Sequence, residues 1–261
     1  MTYRLAVVGG GNMGAALVGG LLQAGWAAGE LAIVEVLGAR ADQLRGMFPG
    51  VEITASVPEC EAALIAVKPY DAPSATAQAV AAGASRILSI AAGVTLAALE
   101  AEAGEAVVVR AMPNTPALVG EGAAAIAGGT GAMEADLAWA ESILGAVGTV
   151  VRVTESNLDA VTGLAGSGPA YLFLVAEALI DAGVLAGLTR PTSEALVTQL
   201  LVGSAALLRD RGNASELRAQ VTSPGGTTAA GLKALEDHAV RAAFADAVVA
   251  ATLRSQELGR Q

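Results

Sequence analysis

The sequence is poor in the side chains that build metal sites and disulfide bonds. Its 261 residues include one cysteine, Cys60, and one histidine, His238. A single cysteine excludes an internal disulfide and a cysteine-rich zinc site, and a single histidine argues against a cage of protein ligands around a metal. We therefore expect no metal. Cys60 is interpreted as a buried small residue rather than a nucleophile, and His238, which lies outside every motif, as a surface or helix-start residue.

Basic and aromatic residues are also scarce. The formal net charge is -10, and only 3% of the residues are aromatic. The negative charge disfavours contact with nucleic acid, and the shortage of aromatic rings argues against a surface on which bases stack. The partner is therefore predicted to be a small molecule.

Long apolar runs are missing although 54% of the residues are hydrophobic. No run approaches the roughly 18 consecutive apolar residues of a membrane-spanning helix. Residues 2–4 lead straight into a strand-like run that carries a motif, which leaves no room for a signal peptide. We expect a cytoplasmic protein without a membrane partner, long enough for two domains.

Short apolar runs alternate with helical patterns over the first 150 residues. Such runs suit strands buried on both faces, and their alternation with helices predicts a parallel sheet built from βαβ units. We assign residues 1–154 to a Rossmann-type doubly wound domain. The predicted strands cover residues 5–8, 31–36, 63–67, 87–90, 107–110, 123–127 and 149–153.

Strand signals end at about Ser156, and the following residues are rich in alanine and leucine. Thr189-Arg190-Pro191 and Asn213 are typical helix starts. We predict an all-helical domain over residues 155–261. Its helices are apolar on more than one side, so we expect burial between subunits. The predicted helices cover residues 159–185, 190–211, 215–221, 226–235 and 238–258.

A glycine motif, GGGNMG at residues 9–14, follows the first predicted strand and opens a helical pattern. In this context Gly9 permits a tight turn, Gly11 lets the backbone approach a pyrophosphate, and Gly14 allows close packing of the helix. The helix N-terminus then receives the anion. The segment predicts a dinucleotide site; the alternative is a glycine-rich turn that binds nothing.

Glu35, 21 residues after Gly14, indicates which dinucleotide is used. A carboxylate at the end of the second strand accepts hydrogen bonds from the adenosine ribose hydroxyls but repels a 2′-phosphate, so NADH is favoured over NADPH. Arg40 could offset this preference if it folded back over the ribose. Alternatively, Glu35 is a solvated loop residue.

Further candidate residues follow other strands, at the edge where ligands bind to open α/β sheets. Lys68 can hold a phosphate or a ribose hydroxyl, and Ala92-Gly93 would let the backbone close against the cofactor. In MPNTP, residues 112–116, two prolines fix a loop so that Asn114 and Thr115 can present polar groups near the nicotinamide. A solvated lysine and a purely structural turn are the alternatives.

The segment SPGGTT, residues 223–228, runs directly into a predicted helix. Its backbone N–H groups and hydroxyls form an anion pocket suited to a substrate carboxylate. The alternative is an ordinary helix start capped by Ser223 or Thr227. The segment GSGP, residues 166–169, is predicted to break the first long helical segment or to mark its start. Close approach of the backbone to the nicotinamide or to another helix explains its glycines.

Several segments together resemble the pyrroline-5-carboxylate reductase family, and the resemblance spans nearly the whole chain. It implies a Rossmann domain, a helical dimerisation domain whose helices interlock between subunits, and NAD(P)H-dependent reduction of L-1-pyrroline-5-carboxylate to L-proline. It also suggests a homodimer or a larger assembly of dimers. The segments are GGGNMG at 9–14, AVKP at 66–69, SIAAGV at 89–94, RAMPNTP at 110–116, DAVTGLAGSGPAY at 159–171 and SPGGTT at 223–228.

The resemblance also implies roles for individual residues. Thr228 would lie beside the ring nitrogen of the substrate as the catalytic residue, and Ser223, Gly225, Gly226 and Thr227 would surround the carboxylate. The residues implied to contact NAD(P)H are Gly9, Gly11, Asn12, Met13, Gly14, Glu35, Ala66, Val67, Lys68, Pro69, Ala92, Gly93, Met112, Asn114 and Thr115.

Three other functions stay open at this point. A β-hydroxyacid dehydrogenase has a similar plan, but its G-x-x-G-x-G-x-x-x-K helix needs a lysine where this chain has Leu172. A reductase of another cyclic imine would differ in its ring pocket, which the sequence does not show. A noncatalytic NAD-binding regulator would have no need of the complete SPGGTT segment.

Overall fold

An eight-stranded sheet forms the N-terminal part of the protein, of which the computed structural model describes residues 2–259. The strands are β1 Leu5–Val8, β2 Leu31–Val34, β3 Glu52–Thr54, β4 Ala62–Ile65, β5 Arg86–Ser89, β6 Val107–Met112, β7 Gly122–Gly128 and β8 Gly148–Arg152. Their order across the sheet is β3-β2-β1-β4-β5-β6-β7-β8. The chain thus adds strands on one side of β1 and then on the other. This doubly wound order confirms the predicted fold class and creates a crevice at the carboxyl ends of the central strands.

Three features of the sheet differ from the prediction. β7 runs antiparallel to β6, whereas the other neighbouring pairs are parallel. The connection of residues 113–121 is too short for the helical crossover that a parallel return requires. β3 was not predicted because it has three residues, of which only Ile53 is buried, and so makes no apolar run. The second strand also ends at Val34, earlier than predicted.

Helices pack on both faces of the sheet, which explains the continuous apolar strands. Leu5 and Val7 of β1 point into one core, and Ala6 and Val8 point into the other. Alternate side chains of a strand face opposite sides, so a strand with two covered faces has no place for polar residues. The helices are α1 Asn12–Gln23, α2 Gly38–Met47, α3 Ala72–Ala81, α4 Leu96–Ala103 and α5 Glu134–Leu144.

The chain divides into two compact units, residues 2–167 with 249–259, and residues 168–248. The boundary predicted at residue 154 stays a prediction. The remaining helices are α6 Leu158–Val161, α7 Gly168–Leu185, α8 Arg190–Arg211, α9 Ala214–Gln220, α10 Thr227–Asp237 and α11 Val240–Leu258. The side chains of Thr189 and Asn213 accept hydrogen bonds from the first turns of α8 and α9, which confirms the predicted helix starts.

The interruption that GSGP predicts within the helical segment of residues 159–185 is confirmed, because α7 begins at Gly168. A π-helical turn, Thr162–Gly166, separates α6 from α7. In a continuous α-helix the N–H of residue 169 would donate to the carbonyl of Ala165, but Pro169 has no N–H. The glycines of this segment tolerate the wider turn, which proteins often place at functional sites.

The second unit buries very little of its own surface. In residues 168–248, all of which the structure describes, only Ser193 and Val197 are buried. Phe173 and Leu174 of α7 are 65% and 66% exposed. Within residues 2–259, one helical stretch, Glu155–Leu185, is long and apolar enough to cross a membrane, although packed helices of soluble proteins pass the same test. Exposed apolar surface of this extent indicates a contact with another subunit.

We expect a dimer or a larger assembly at low micromolar concentration, because one chain does not cover the apolar faces of α7 and α8. Sedimentation measures the size directly. Phe173→Glu should shift the distribution toward smaller species by placing a charge in the contact. Met133→Glu, which changes a 74% exposed residue of the first unit, should leave the size unchanged. A stable monomer of the wild-type protein would contradict this account.

Candidate functional site

A cleft of about 770 Å³ opens at the carboxyl ends of the central strands. Its walls are the glycine loop after β1, the residues that follow β2, β4 and β5, and one face of α3, all within the first unit. This is where doubly wound folds bind ligands. Predicted cofactor residues in its lining are Gly9, Gly11, Asn12, Met13, Glu35, Ala66, Val67, Lys68, Ala92 and Met112. Gly14, Pro69, Gly93, Asn114 and Thr115 lie outside this lining.

The glycine loop, residues 9–14, lies where a side chain would collide with neighbouring backbone or occupy the space of a ligand. Gly9 has a φ of +113°, and a Cβ there would lie 2.6 Å from the carbonyl oxygen of Ala66. A Cβ on Gly14 would overlap the carbonyl oxygen of Gly9, so α1 packs directly on the turn. Around the corresponding position on Gly11 there is no atom within 4 Å. The loop therefore leaves space for an anion at the N-terminus of α1.

Glu35 follows β2 at the cleft and is half-buried. Its Oε1 accepts a hydrogen bond of 2.9 Å from the N–H of Leu37, which orients the carboxylate. Arg40 turns toward the glycine loop, where its Nε donates to the carbonyl of Gly10 at 2.8 Å, and its Nη1 donates to Gln43 at 3.2 Å. Arg40 lines a second cavity instead of the cleft. Of these two charged residues, Glu35 is the one that lines the cleft.

Lys68 and Ala92 reach the cleft from the ends of β4 and β5. Lys68 is exposed and precedes a short 3-10 turn, Pro69–Asp71, so its ammonium group can meet a ligand in the cleft. Gly93, next to Ala92, has a φ of +78°, a conformation that glycine adopts readily. Contact of the Ala92-Gly93 backbone with the cofactor stays a prediction.

The Asn114 side chain bonds to backbone at both ends. Its Nδ2 donates to the carbonyl of Ala165 at 3.0 Å, and its Oδ1 accepts from the N–H of Ala123 at 2.8 Å. Asn114 therefore ties the loop after β6 to the π-helical turn, in place of the helical donor that Pro169 lacks. Thr115 is exposed. Contacts of Asn114 and Thr115 with the cofactor stay predictions, and these bonds do not support one for Asn114.

The SPGGTT segment lies in the second unit and starts α10 without a side-chain cap. Gly226 is the N-cap residue, so the capping by Ser223 or Thr227 considered as an alternative is not found. The N–H of Gly226 donates to the carbonyl of Ser223 at 3.1 Å, and Gly225 has a φ of +69°. Thr228, in the first turn of α10, is half-buried. A helix start without a side-chain cap can receive an anion from outside the helix.

The structure adds a charge pair between a buried arginine and a half-buried glutamate that sequence reasoning missed. The Arg110 side chain in β6 is 8% exposed, and its Nη1 donates to Oε1 of Glu155 at 2.9 Å. The same oxygen accepts a hydrogen bond of 2.6 Å from the N–H of Leu96, the first residue of α4. The only signal in the sequence is an arginine inside an apolar strand, because a buried charge needs a partner.

Cys60 and His238 belong to neither site. Cys60 is buried, and burial raises the pKa of its thiol to about 11, so the thiol is protonated at neutral pH. His238 lies at the C-terminal end of α10 and is exposed, so it does not start a helix. Among residues 2–259, no group of three His, Cys, Asp or Glu side chains is placed to hold a metal.

The doubly wound sheet, the glycine turn and the acid after β2 define an oxidoreductase of the nicotinamide-dinucleotide class. A family model described as an NADP oxidoreductase, coenzyme F420-dependent, matches residues 4–93, and one for pyrroline-5-carboxylate reductase dimerisation matches residues 155–258. The chain is 42% identical to a pyrroline-5-carboxylate reductase from Synechocystis sp., with all of both chains covered. It belongs to the pyrroline-5-carboxylate reductase family.

Solved structures of relatives agree with this assignment. The chain is 33% identical to a pyrroline-5-carboxylate reductase from Coxiella burnetii, with a TM-score of 0.92 over 99% of each chain. It is 30% identical to the pyrroline carboxylate reductase of Plasmodium falciparum, solved with NADP bound, with a TM-score of 0.84 over 98% of each chain. The protein is therefore an NAD(P)H-dependent oxidoreductase, and its helical part matches a dimerisation domain.

Gly11→Ala should weaken NADH binding, whereas Gly14→Ala should destabilise the fold. Gly11→Ala adds a methyl group to open space in the cleft, so thermal stability should change little while the NADH dissociation constant rises about tenfold, ~1.4 kcal/mol. Gly14→Ala forces a methyl group against the carbonyl of Gly9 and should lower the free energy of unfolding by ~1–3 kcal/mol. Calorimetry and fluorescence titration with NADH measure the two effects.

Gly46→Ala in α2 is the matched control, because a Cβ there has no atom within 4 Å and the residue does not line the cleft. It should change neither NADH affinity nor stability by much. If Gly11→Ala bound NADH as tightly as Gly46→Ala does, the glycine loop would not be the pyrophosphate site.

Proposed function

We propose that the protein reduces L-1-pyrroline-5-carboxylate to L-proline with NAD(P)H, as the last step of proline biosynthesis, in the cytoplasm and as a homodimer or a larger assembly of dimers. The observation that carries the cofactor part of this proposal is the open position at Gly11 beside the N-terminus of α1, in a cleft of about 770 Å³. Small-molecule sites have volumes of roughly 300–1,000 Å³. Cofactor binding is assigned to residues 1–154, and dimerisation and substrate binding to residues 155–261.

The cleft residues suit a nicotinamide dinucleotide. The backbone N–H groups from Gly11 to Met13 would hold the pyrophosphate, Glu35 the adenosine ribose, and Lys68 a phosphate or a ribose hydroxyl. The Ala92-Gly93 turn and Met112 would border the nicotinamide. When bound, the reduced nicotinamide supplies the hydride.

The start of α10 supplies what the substrate carboxylate needs. Its uncapped first turn carries the positive end of the helix dipole. Ser223 and Thr227 add hydroxyl donors, and Gly225 and Gly226 leave their backbone open to a small anion. Thr228, one residue further along the helix, would orient the ring nitrogen and relay a proton from water.

Hydride transfer to the substrate needs little acid–base catalysis. A protonated C=N bond is already an electrophile, so the main task of the protein is to hold the ring carbon against the hydride donor. A chain with one histidine fits this task. The dehydrogenase alternative lacks its proton-transfer group, because Leu172 stands where that class has lysine.

A substrate panel tests the proposal against its alternatives. With NADH, the protein should turn over pyrroline-5-carboxylate faster than the homologue with a six-membered ring. With NAD⁺, it should not oxidise β-hydroxy acids. Faster turnover of the larger ring would identify a reductase of another imine, and NADH binding without turnover of any compound would identify a noncatalytic regulator.

Thr228→Ala should lower kcat with pyrroline-5-carboxylate by roughly ten- to a hundredfold, on the scale of one lost transition-state hydrogen bond. NADH affinity should be unchanged, because the substitution removes a group that faces the substrate. Thr228→Ser keeps the hydroxyl and should retain most activity. Thr222→Ala, which removes a hydroxyl bonded to the carbonyl of Arg218, is the control. Unaltered kinetics of Thr228→Ala would remove this residue from the mechanism.

Glu35 supports a preference for NADH. Its carboxylate borders the cleft and would repel a 2′-phosphate, and the guanidinium of Arg40 is engaged with Gly10 and Gln43. The Plasmodium falciparum relative was solved with NADP, so family membership alone leaves the choice between the two cofactors open. We therefore propose NADH as the better cofactor on the local geometry.

Glu35→Ser should shift the ratio of kcat/KM for NADH and NADPH toward NADPH by ~1–3 kcal/mol, because it removes both the ribose hydrogen bonds and the phosphate repulsion. Asp42→Ser makes the same change of charge on the surface of α2 and should leave the ratio unchanged. A wild-type preference for NADPH that Glu35→Ser does not alter would show that Glu35 is a solvated loop residue.

A further inference from the structure

The turn after β5, residues 90–95, contacts two distant parts of the chain. Ile90 and Ala92 line the cleft. Ile90 and Val94 pack against the two cores at the ends of the turn, but its central residues, 91–93, are Ala-Ala-Gly and carry only small side chains. A backbone stretch with few buried apolar contacts of its own opens at low free-energy cost unless other elements hold it. What packs against the turn therefore sets the shape of the cleft at this point.

Glu155 holds the end of the turn. Its Oε1 accepts hydrogen bonds from the N–H of Leu96 at 2.6 Å and from Nη1 of Arg110 at 2.9 Å. Because Arg110 is buried in β6, its ion pair with Glu155 fixes the carboxylate of Glu155 to the sheet. The start of α4 is thereby tied to the strand next to β5.

Asp159, four residues further on, holds the end of α11. The Oγ of Ser255, which is 5% exposed, donates to Oδ1 of Asp159 at 2.6 Å. This hydrogen bond joins residues 96 positions apart in the chain. It fixes the last helical turn beside the short helix α6.

The segment after Ser255 contacts the middle of the turn, backbone against backbone. A Cβ on Gly259 would lie 3.0 Å from the carbonyl oxygen of Gly93, and a Cβ on Gly93 would lie 3.6 Å from the amide nitrogen of Gly259. The N–H of Gly259 also donates to the carbonyl of Ser255 at 3.1 Å. A side chain at Gly259 would have to push against the turn.

We infer that residues 255–259 are a positioning segment that holds Gly93, and through it Ala92, at the wall of the cleft, so that affinity for the nicotinamide cofactor depends on the end of α11. This inference rests on the cofactor site proposed above. The segment does not touch the reacting atoms; it limits how far the turn can move away from the ligand.

Gly259→Leu tests the backbone contact directly. It should raise the NADH dissociation constant, measured by fluorescence titration, by roughly three- to tenfold, the scale on which residues act through others. The KM for pyrroline-5-carboxylate should change less. Gly131→Leu is the control, because a Cβ at Gly131 has no atom within 4 Å.

The carboxylate link provides a second test. Asp159→Ala removes the acceptor of the Ser255 hydroxyl, whereas Asp159→Asn keeps an oxygen in its place. Hydrogen exchange at residues 91–95, measured without cofactor, should accelerate in Asp159→Ala and stay near the wild-type rate in Asp159→Asn. NADH affinity should follow the same order.

The outcomes separate this inference from the proposed function. A wild-type protein that does not bind NADH would overturn both. If the wild type binds NADH, and Gly259→Leu and Asp159→Ala bind it equally well with unchanged exchange at residues 91–95, only the positioning role is overturned. Thermal unfolding of each variant shows whether the substitution has destabilised the protein as a whole. An equal loss of NADH affinity in Gly259→Leu and Gly131→Leu would count against the inference.

Discussion

The site depends on close backbone packing at the glycine loop, where the turn at Gly9, the start of α1 at Gly14 and the segment after β4 at Ala66 lie against one another. Gly9 faces the carbonyl of Ala66 and Gly14 faces the carbonyl of Gly9, with no side chain between them. This contact sets α1 against β1 and β4 and points its N-terminus into the cleft. A doubly wound sheet by itself offers only a crevice at the carboxyl ends of its strands. The glycine loop turns this crevice into a site for an anion, because it leaves the N-terminus of α1 open to a ligand.

The acidic residues near the cleft have different tasks. Glu35 borders the ligand space, where its charge can select between cofactors. Glu155 and Asp159 bind groups of the protein itself and fix the turn that carries Ala92. Hydride transfer to an activated C=N bond needs position more than proton transfer, so a protein with one histidine can do this chemistry by rigid placement.

The features that could be predicted from the sequence are those that a local pattern of residues determines. Short apolar runs located seven strands, and Thr189 and Asn213 marked helix starts because capping is a local interaction. Sequence reasoning missed β3, which has no apolar run, and the direction of β7, which depends on how the chain returns. The pairs Arg110–Glu155 and Asp159–Ser255 were also missed, because their members lie 45 and 96 positions apart and no local pattern links them. The placement of Asn114 against Ala165 is of the same kind.

Deuterium labelling follows the transferred hydrogen itself. NADH that carries deuterium at the transferable position is incubated with the protein and pyrroline-5-carboxylate, and the products are analysed by mass spectrometry. We expect one L-proline for each NADH consumed, with the deuterium on the ring carbon that bore the double bond. NADH consumption without proline, or proline without the deuterium, would contradict it.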